Sequence, residues 1–280
     1  MRADCHMHMV LDGYDWKSAI ARHQTAPRED FIRSALQVYR EQGCTYLRDC
    51  GDKWGVGAAA RALAPEYGIT YRTPLSPLCK AGHYGGFIGT AFETFADFAR
   101  LVVHIRESGG DFVKIMISGL MDFNRFGVLT EAGLPAGEIR ELVHIAKQEG
   151  MSVAVHANGA DTVTAAAEAG VDSVEHGAYL DKNALQAMAD FGVVWVPTLS
   201  TVGNLLDKGR FPDDQVAKIL DSALQNVADF AAMGGHLAAG TDAGAWSVPH
   251  GSATEEGYFA KAGVGQAILD KGLAVIRKKF

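Results

Sequence analysis

Short apolar runs alternate with longer amphipathic segments along the whole 280-residue chain. A strand followed by a helix, repeated many times, is the pattern of parallel βα units. We predict eight strands, near 2–6, 44–48, 69–74, 111–117, 152–156, 171–175, 193–197 and 236–240. We predict helices near 29–42, 56–66, 92–108, 135–149, 159–169, 181–191, 213–233 and 254–278. Eight strands of one repeating type favour a closed barrel, so the predicted fold class is α/β, a (β/α)8 TIM barrel.

The glycines support this repeat. One glycine lies just before each predicted strand after the first: Gly43, Gly68, Gly110, Gly150, Gly170, Gly192 and Gly235. A C-capping glycine belongs there when a helix gives way to a short αβ loop. The longest irregular stretches instead follow strands, at 9–28, 76–91, 118–134, 198–212 and 241–253. Long loops at the carboxyl ends of the strands are typical of barrel enzymes, which build their active sites there.

Composition narrows the possible partners and the number of domains. No linker or low-complexity stretch interrupts the chain, so a single domain over 1–280 is expected. A net charge of −7 without any basic run argues against nucleic acid as a partner. No apolar stretch approaches the 18 residues or more of a membrane helix, and the first residues lack an apolar signal core. We therefore expect a cytoplasmic protein that acts on a small molecule, with a homo-oligomer left open.

The cysteines fit a reducing compartment. The chain has four of them, without C-x-x-C spacing: Cys5, Cys44, Cys50 and Cys79. They are too few for a disulfide scaffold at this length, and we interpret Cys5, Cys44 and Cys50, which lie in or beside predicted strands, as reduced, buried thiols.

Six residues of metal-ligand type lie at or near the ends of predicted strands: His6, His8, Lys114, His156, His176 and Asp242. The strands of a parallel barrel all end on one face, so residues far apart in sequence can converge there. His6 and His8 are two positions apart, so on a strand both rings project to the same side. A two-metal hydrolytic centre is the simplest chemistry that uses all six residues.

Lys114 lies inside the apolar strand FVKIMIS. A strand of a parallel barrel is covered on both sides, so a lysine within it needs a partner. A buried ammonium group without a partner favours its neutral amine form. Such an amine can add CO2 to form a carbamate, whose two oxygens could bridge two divalent cations. The alternative is a lysine that reaches a carboxylate at the barrel rim, and this strand alone leaves both open.

His156, His176 and Asp242 each end a β-branched or apolar run just before a turn. A single histidine in such a place is more often structural than a ligand. Two of them on consecutive strands, with H-x-H upstream, favour metal binding. A carboxylate at Asp242 can bind a metal and accept a proton from metal-bound water. An N-cap or turn aspartate is the alternative for that position.

Several motifs together resemble the amidohydrolase superfamily, in particular its binuclear imidazolonepropionase/prolidase-like branch. The motifs are HMH at 6–8, GCTYLRDCGD at 43–52, VKIMISG at 113–119, VHANG at 155–159, SVEHGAYLD at 173–181, VPTLS at 196–200, and GTDAG followed by PHG within 240–251.

The resemblance implies a ligand set and a mechanism. His6, His8 and Asp242 would hold the more buried metal, and His156 and His176 the second. Carboxylated Lys114 and a hydroxide would bridge the two, and the hydroxide would attack the carbonyl carbon of a C–N bond in an amide, dipeptide or cyclic amide. Asp242 would be the catalytic residue, taking the proton and passing it to the leaving amine. Zn2+ fits this histidine-rich set best, although imidazole also suits other metals.

Two departures from that branch stand out. Its members usually carry a small β-sandwich made from segments before and after the barrel. Here five residues precede His6 and the chain stops at the last helix, so we expect no sandwich and a weak closure between strands 1 and 8. Asn158 occupies a position where prolidase-like members commonly have a second histidine, which leaves the substrate uncertain.

Substrate contacts are predicted from His83 and Tyr84, which follow the third strand, and from His250, which follows Asp242. Arg125 could pair with a substrate carboxylate, but a solvated loop arginine is favoured. Two other functions stay open. One is a lactonase or phosphotriesterase-like esterase that uses the same centre, and the other is a non-catalytic or truncated metal-binding barrel.

Overall fold

Parallel strands build a barrel in the computed structural model, which describes residues 3–280. The strands are β1 (Ala3–Met7), β2 (Tyr46–Asp49), β3 (Thr70–Arg72), β4 (Leu78–Lys80), β5 (Thr90–Phe92), β6 (Val113–Met116), β7 (Val153–Ala157), β8 (Ser173–His176), β9 (Val194–Val196) and β10 (His236–Leu237). They form two parallel sheets, with the strand orders β1-β2-β3 and β10-β9-β8-β7-β6-β4-β5. The predicted α/β barrel is confirmed, and each predicted strand has a counterpart, although position 2 lies outside the described residues.

Helices cover the outside of the barrel. They are α1 (Trp16–Arg22), α2 (Glu29–Glu41), α3 (Val56–Leu63), α4 (Phe95–Glu107), α5 (Ala136–Gln148), α6 (Ala160–Ala169), α7 (Lys182–Asp190), α8 (Ser200–Gly203), α9 (Asp213–Ala232), α10 (Thr254–Lys261) and α11 (Gln266–Lys279). The helix predicted over 254–278 is two helices, because Gly263 takes a left-handed φ of +74° and breaks it. Within residues 3–280, no helix is long and apolar enough to cross a membrane.

The third strand of the barrel is divided into two pieces. β3 pairs with β2, whereas β4 pairs with β6. One further hydrogen bond, from the Asp111 N–H to the Thr73 carbonyl, joins the residue after β3 to the segment before β6. The segment between β3 and β4, residues 74–77, reads PLSP, and proline has no N–H to offer a ladder. The sequence analysis treated 76–91 as irregular and began a helix at 92, and so missed β4 and β5.

The barrel closes between β1 and the residues that follow β10. The Cys5 N–H donates to the Ala239 carbonyl at 2.9 Å, the Asp242 N–H to the His6 carbonyl at 2.7 Å, and the His8 N–H to the Ala243 carbonyl at 2.8 Å. Buried Asp4 adds two bonds, from the Thr241 N–H and hydroxyl. The expected weak closure is therefore wrong, because pairing continues well past the two residues of β10.

Five of the seven predicted capping glycines have a left-handed φ: Gly43, Gly68, Gly150, Gly170 and Gly192. At the other two junctions the left-handed residue is the preceding glycine, Gly109 or Gly234. Gly110 serves packing instead, since a Cβ there would lie 2.5 Å from Ile105 Cγ2.

Side chains alternate along β6 as predicted. Val113 and Ile115 are buried in the cluster that joins the sheet to the helices, together with Val102 and Leu142. Lys114 points the other way and is fully buried inside the barrel. The barrel therefore presents an apolar outer surface to the helices and a polar group to its interior.

Gly272 tests how closely α11 packs on the barrel. A Cβ at this position would lie 1.8 Å from the Leu237 carbonyl oxygen, so Gly272→Ala must displace α11 from β10. We expect a loss of roughly 1–3 kcal/mol in the free energy of unfolding, measured by urea denaturation. Gly257→Ala is the control, because Gly257 is an exposed position inside α10 with no atom within 4 Å of the added Cβ. That variant should gain up to about 1 kcal/mol, and equal stability of the two variants would contradict this packing.

Candidate metal centre

The six predicted ligands converge at the mouth of the barrel. All of them line one small cavity of about 40 Å³: His6, His8, Lys114, His156, His176 and Asp242. The ring centroids of His6 and His176 are 4.9 Å apart, and those of His156 and His176 are 4.5 Å apart. A cavity of this size has room for a few ions or water molecules and for nothing larger.

Two of these residues have an uncommon backbone. His176 has a φ of +70° and Asp242 a φ of +55°, in the left-handed region that residues other than glycine rarely adopt. Such conformations cost free energy and persist where the surrounding structure enforces them, often at functional sites. At Asp242 the bond from its own N–H to the His6 carbonyl fixes that geometry.

The contact between His6 and Asp242 brings two lone pairs together. His6 Nδ1 lies 2.7 Å from Glu175 Oε2, and a carboxylate only accepts hydrogen bonds, so Nδ1 carries the proton. His6 Nε2 therefore presents a lone pair, and it lies 3.3 Å from Asp242 Oδ1 without a hydrogen bond to it. Two acceptors at this distance repel each other unless a cation or a proton lies between them.

Lys114 adds a third unsatisfied atom. Its Nζ is fully buried and has no hydrogen-bond partner among residues 3–280, so the alternative of a carboxylate at the barrel rim finds no support. Buried polar atoms in folded proteins are nearly always paired. Three such atoms around one cavity, with imidazole and carboxylate among the donors, fit a site for divalent metal.

Burial keeps the four histidines neutral. It lowers the pKa of His8 and of His156 to about 3, and it lowers the pKa of His6 and His176 well below the usual value. Metal binding requires an unprotonated imidazole, and these side chains meet that condition at neutral pH. Burial also raises the pKa of Asp242 well above its usual value, so a cation beside it is needed to keep it ionised.

Cys50 is a further sulfur ligand within reach of His6 and His8. Its thiol is buried, and burial raises its pKa, which keeps it protonated. Only the thiolate binds metals well, so the imidazole and carboxylate set is the better ligand group. The prediction that this thiol is reduced and buried is confirmed.

A buried ion pair holds His6 from below. Glu175 Oε1 lies 2.7 Å from Arg48 Nη2, and neither side chain is exposed. Arg48 also donates to the Ser173 hydroxyl and to the Cys5 carbonyl, and its guanidinium lies 4.6 Å from the centre of the Phe280 ring. The sequence analysis missed this network, although the opposite charges inside the strands YLRD and SVEH were a usable signal.

Hydrogen bonds also fix the second pair of histidines. His176 Nδ1 lies 2.7 Å from the Thr198 hydroxyl, and His156 Nε2 lies 3.2 Å from the Gly119 carbonyl oxygen. Asn158, where the resemblance led us to look for a histidine, is fully buried and joins two loops through its amide. That amide donates to the Gly119 carbonyl and accepts from the Ala178 N–H. Asn158 thereby helps to hold the backbone oxygen beside His156.

A cleft with two lobes opens above the metal cavity. The first lobe is a cavity of about 380 Å³ that reaches His156 and His176, and the second is one of about 640 Å³ that reaches His8. The two lobes share one wall, formed by Tyr84, Leu120, Arg210, Asp242, Ala245 and Trp246. Asp242 lies where the lobes and the metal cavity meet, so a bound molecule can span both lobes across it.

The structure brings one of the three predicted substrate residues to this cleft. Tyr84 lines both lobes, and its ring centroid is 4.9 Å from that of His156. His83 lines neither lobe, because its ring pairs with Glu131 instead. His250 is also absent from both walls, since its ring nitrogens contact the Leu11 carbonyl and the Tyr39 hydroxyl. Of the three residues predicted to contact the substrate, these two histidines therefore lie outside the walls of the cleft.

Comparison with known proteins identifies the family of the chain. The sequence model described as the amidohydrolase family matches residues 4–264. The chain belongs to the amidohydrolase family. The resemblance stated from the motifs is thereby confirmed.

The chain is similar in sequence and fold to an ochratoxinase, and similar in fold to a Xaa-Pro dipeptidase. The ochratoxinase of Aspergillus niger is 26% identical in an alignment 235 residues long, which covers 71% of this chain and 47% of that enzyme. Its crystal structure superposes with a TM-score of 0.76 at 22% identity, covering 96% of this chain and 69% of the other. A Xaa-Pro dipeptidase with bound methionine superposes with a TM-score of 0.77 at 23% identity, covering 99% and 75%. The chain thus spans about half the length of the ochratoxinase sequence.

The buried pair of Arg48 and Glu175 below His6 yields a stability prediction. Glu175→Leu leaves the buried Arg48 guanidinium without an anionic partner, which should cost roughly 3–5 kcal/mol in the free energy of unfolding. The double variant Arg48→Met/Glu175→Leu removes both charges and should recover most of that loss. His6 loses its acceptor in both variants, so the difference between them isolates the stranded charge. Denaturation of metal-free protein measures both, and a double variant no more stable than the single one would refute the pairing.

Proposed function

We propose that this protein is a metal-dependent hydrolase that cleaves a C–N bond in a small amide, dipeptide or cyclic amide. The observation that carries the proposal is that His6 Nε2 and Asp242 Oδ1 face each other with a lone pair each, and that Lys114 Nζ lies beside them without a hydrogen-bond partner. They lie in a cavity that opens into a larger cleft. Membership of the amidohydrolase family supports amide hydrolysis, as do the activities in the names of the ochratoxinase and the Xaa-Pro dipeptidase.

The donors divide into two sets that would hold two divalent cations, for which Zn2+ is the best fit. His6, His8 and Asp242 would hold one, and His156 and His176 the other. When bound, the metals supply Lewis acidity that polarises a carbonyl and makes water a nucleophile near neutral pH.

Lys114 completes this centre as a carbamate. Its neutral amine adds to CO2 through a new N–C bond and releases one proton, which leaves an anion with two oxygens. The addition is supported by the full burial of Nζ and by the lack of any carboxylate partner in the described part of the chain. The added negative charge would also balance two divalent cations better than a neutral amine.

Asp242 is the residue we propose for proton transfer. Its carboxylate faces the metal cavity and both lobes, so it contacts the attacking water and the leaving amine in turn. Burial raises the pKa of this carboxyl, which makes it a stronger base than an exposed aspartate once it is ionised. It would accept a proton from water and donate it to the amine nitrogen as the C–N bond breaks.

The lobes favour substrates with apolar groups. Met121, Phe123 and Leu205 line the first lobe, while Leu11 and Phe87 line the second. We propose that the acyl part and the amine part of a small molecule occupy one lobe each, within a single catalytic domain over 1–280. The scissile bond then lies over Asp242.

Metal content tests the proposed centre. Reconstituted wild-type protein should hold about two divalent metals per chain, and Lys114→Met should lower both metal content and activity while its side chain fills a similar volume. Lys278→Ala is the control, since Lys278 is exposed on α11. Metal analysis and thermal melting of all three proteins give the result. One metal or fewer in folded wild type, with an unmodified Lys114, would refute a bridged centre.

A substrate panel tests the bond type. Metal-loaded protein should hydrolyse dipeptides or N-acyl amino acids, and removal of metal with a chelator should abolish that activity. The same panel includes lactones, which report the esterase alternative. Hydrolysis of lactones alone would overturn the proposal, and two bound metals without any hydrolysis would favour the non-catalytic barrel.

A further inference from the structure

The cleft contains a cation that the proposed mechanism does not use. Arg210 lies between α8 and α9 and lines both lobes. Its guanidinium carbon is 4.4 Å from the centre of the Trp246 ring and 5.5 Å from that of Phe211. Throughout residues 3–280, no carboxylate lies within ion-pair distance of it. Arg210 thus has aromatic neighbours and no anionic partner of its own.

Apart from Asp242, which belongs to the proposed metal centre, the acidic groups along the same walls are already engaged. Asp122 accepts from the Asn124 N–H and from Arg125 Nε, while Asp15 caps α1 by accepting from two backbone N–H groups. Arg125, the residue first considered for a substrate carboxylate, pairs with Asp122 and lines neither lobe. Because no carboxylate of the described residues pairs with Arg210, an anion that enters the cleft can bind its guanidinium without displacing one.

Lys17 is the other cation on these walls. It lines only the second lobe, and its ammonium lies 5.5 Å from the centre of the Trp16 ring. A ligand in the first lobe has no contact with Lys17, whereas Arg210 faces both lobes. Arg210 is therefore the better anchor for a molecule that spans the cleft.

The loops that carry Arg210 and Trp246 are joined to each other. The Asn204 side-chain amide donates to the Ser247 carbonyl at 3.0 Å, and the Ser247 hydroxyl donates to the Asn204 carbonyl at 2.9 Å. The Tyr258 hydroxyl donates to the Asn204 side chain as well. These bonds fix the spacing of the two loops before a ligand binds, which lowers the entropy cost of binding.

We propose that Arg210, stacked on Trp246, binds a carboxylate of the substrate and selects amides that bear one, such as N-acyl amino acids and dipeptides. Stacking uses the face of the guanidinium and leaves its N–H groups at the edge to donate in pairs to a carboxylate. This inference rests on the proposed amide hydrolysis and names the substrate class for it.

A matched pair of substrates tests the inference. N-benzoyl-L-leucine has a free carboxylate and N-benzoyl-L-leucinamide does not, and benzoate release reports the same bond in both. Wild-type protein should prefer the acid. Arg210→Gln should lower kcat/KM for the acid by roughly 10–100-fold, mainly through KM, and leave the amide unchanged. Arg210→Lys should lie between, because an ammonium cannot donate in a bidentate manner, and Arg125→Gln should match wild type.

Three results would overturn the inference. The first is an equal loss for both substrates in Arg210→Gln, which would mean that the residue only supports the loop. The second is an undiminished preference for the acid in that variant. The third is a preference that Lys17→Gln abolishes and Arg210→Gln does not, which would place the anchor in the second lobe.

Failure of the proposed hydrolysis gives a different result. If wild type cleaves neither substrate, calorimetric titration with N-benzoyl-L-leucine still measures the carboxylate site. Binding at least tenfold weaker in Arg210→Gln than in wild type would sustain the site while the hydrolase proposal falls. Equal binding in the two proteins would refute the site itself.

Discussion

The closure of the barrel between β1 and residues 239–243 is the interaction on which the site depends. Three backbone hydrogen bonds cross this seam, and one of them, from the Asp242 N–H to the His6 carbonyl, joins two of the predicted ligands directly. The same seam brings His6 Nε2 to 3.3 Å from Asp242 Oδ1. Without this closure, His6 and His8 at the first strand would not lie next to Asp242, which follows the last strand.

Inside the barrel, the polar groups below the proposed metal centre are paired, whereas several of those at the centre itself are not. Arg48 and Glu175 satisfy each other and, through Glu175, fix the proton on His6 Nδ1. At the mouth, Lys114 Nζ and Asp242 Oδ1 are buried without hydrogen bonds. Fully satisfied polar groups lie next to unsatisfied ones in the same interior, and this contrast is the basis on which we propose an ion site there.

The period of the sequence and the positions of its polar residues were enough to predict much of this architecture. Strand alternation placed Lys114 inside the barrel, and the common direction of the strands brought His6 and His176 to the same mouth. What the sequence could not supply depends on contacts between distant segments. Two prolines split the third strand, and Glu131 draws His83 away from the cleft. The proposed role of Arg210 depends on its contact with Trp246, a residue on another loop, which the sequence alone does not reveal.

Anomalous X-ray diffraction at the absorption edge of the bound metal tests the central claim most directly. Crystals of protein reconstituted with Zn2+ should show two peaks inside the cavity formed by the six ligands. Each peak should lie about 2.0–2.2 Å from histidine nitrogens, with electron density for a carbamate extending from Lys114 Nζ between them. A single peak held by His6, His8 and Asp242 beside an unmodified lysine, or no peak in this cavity, would contradict the account.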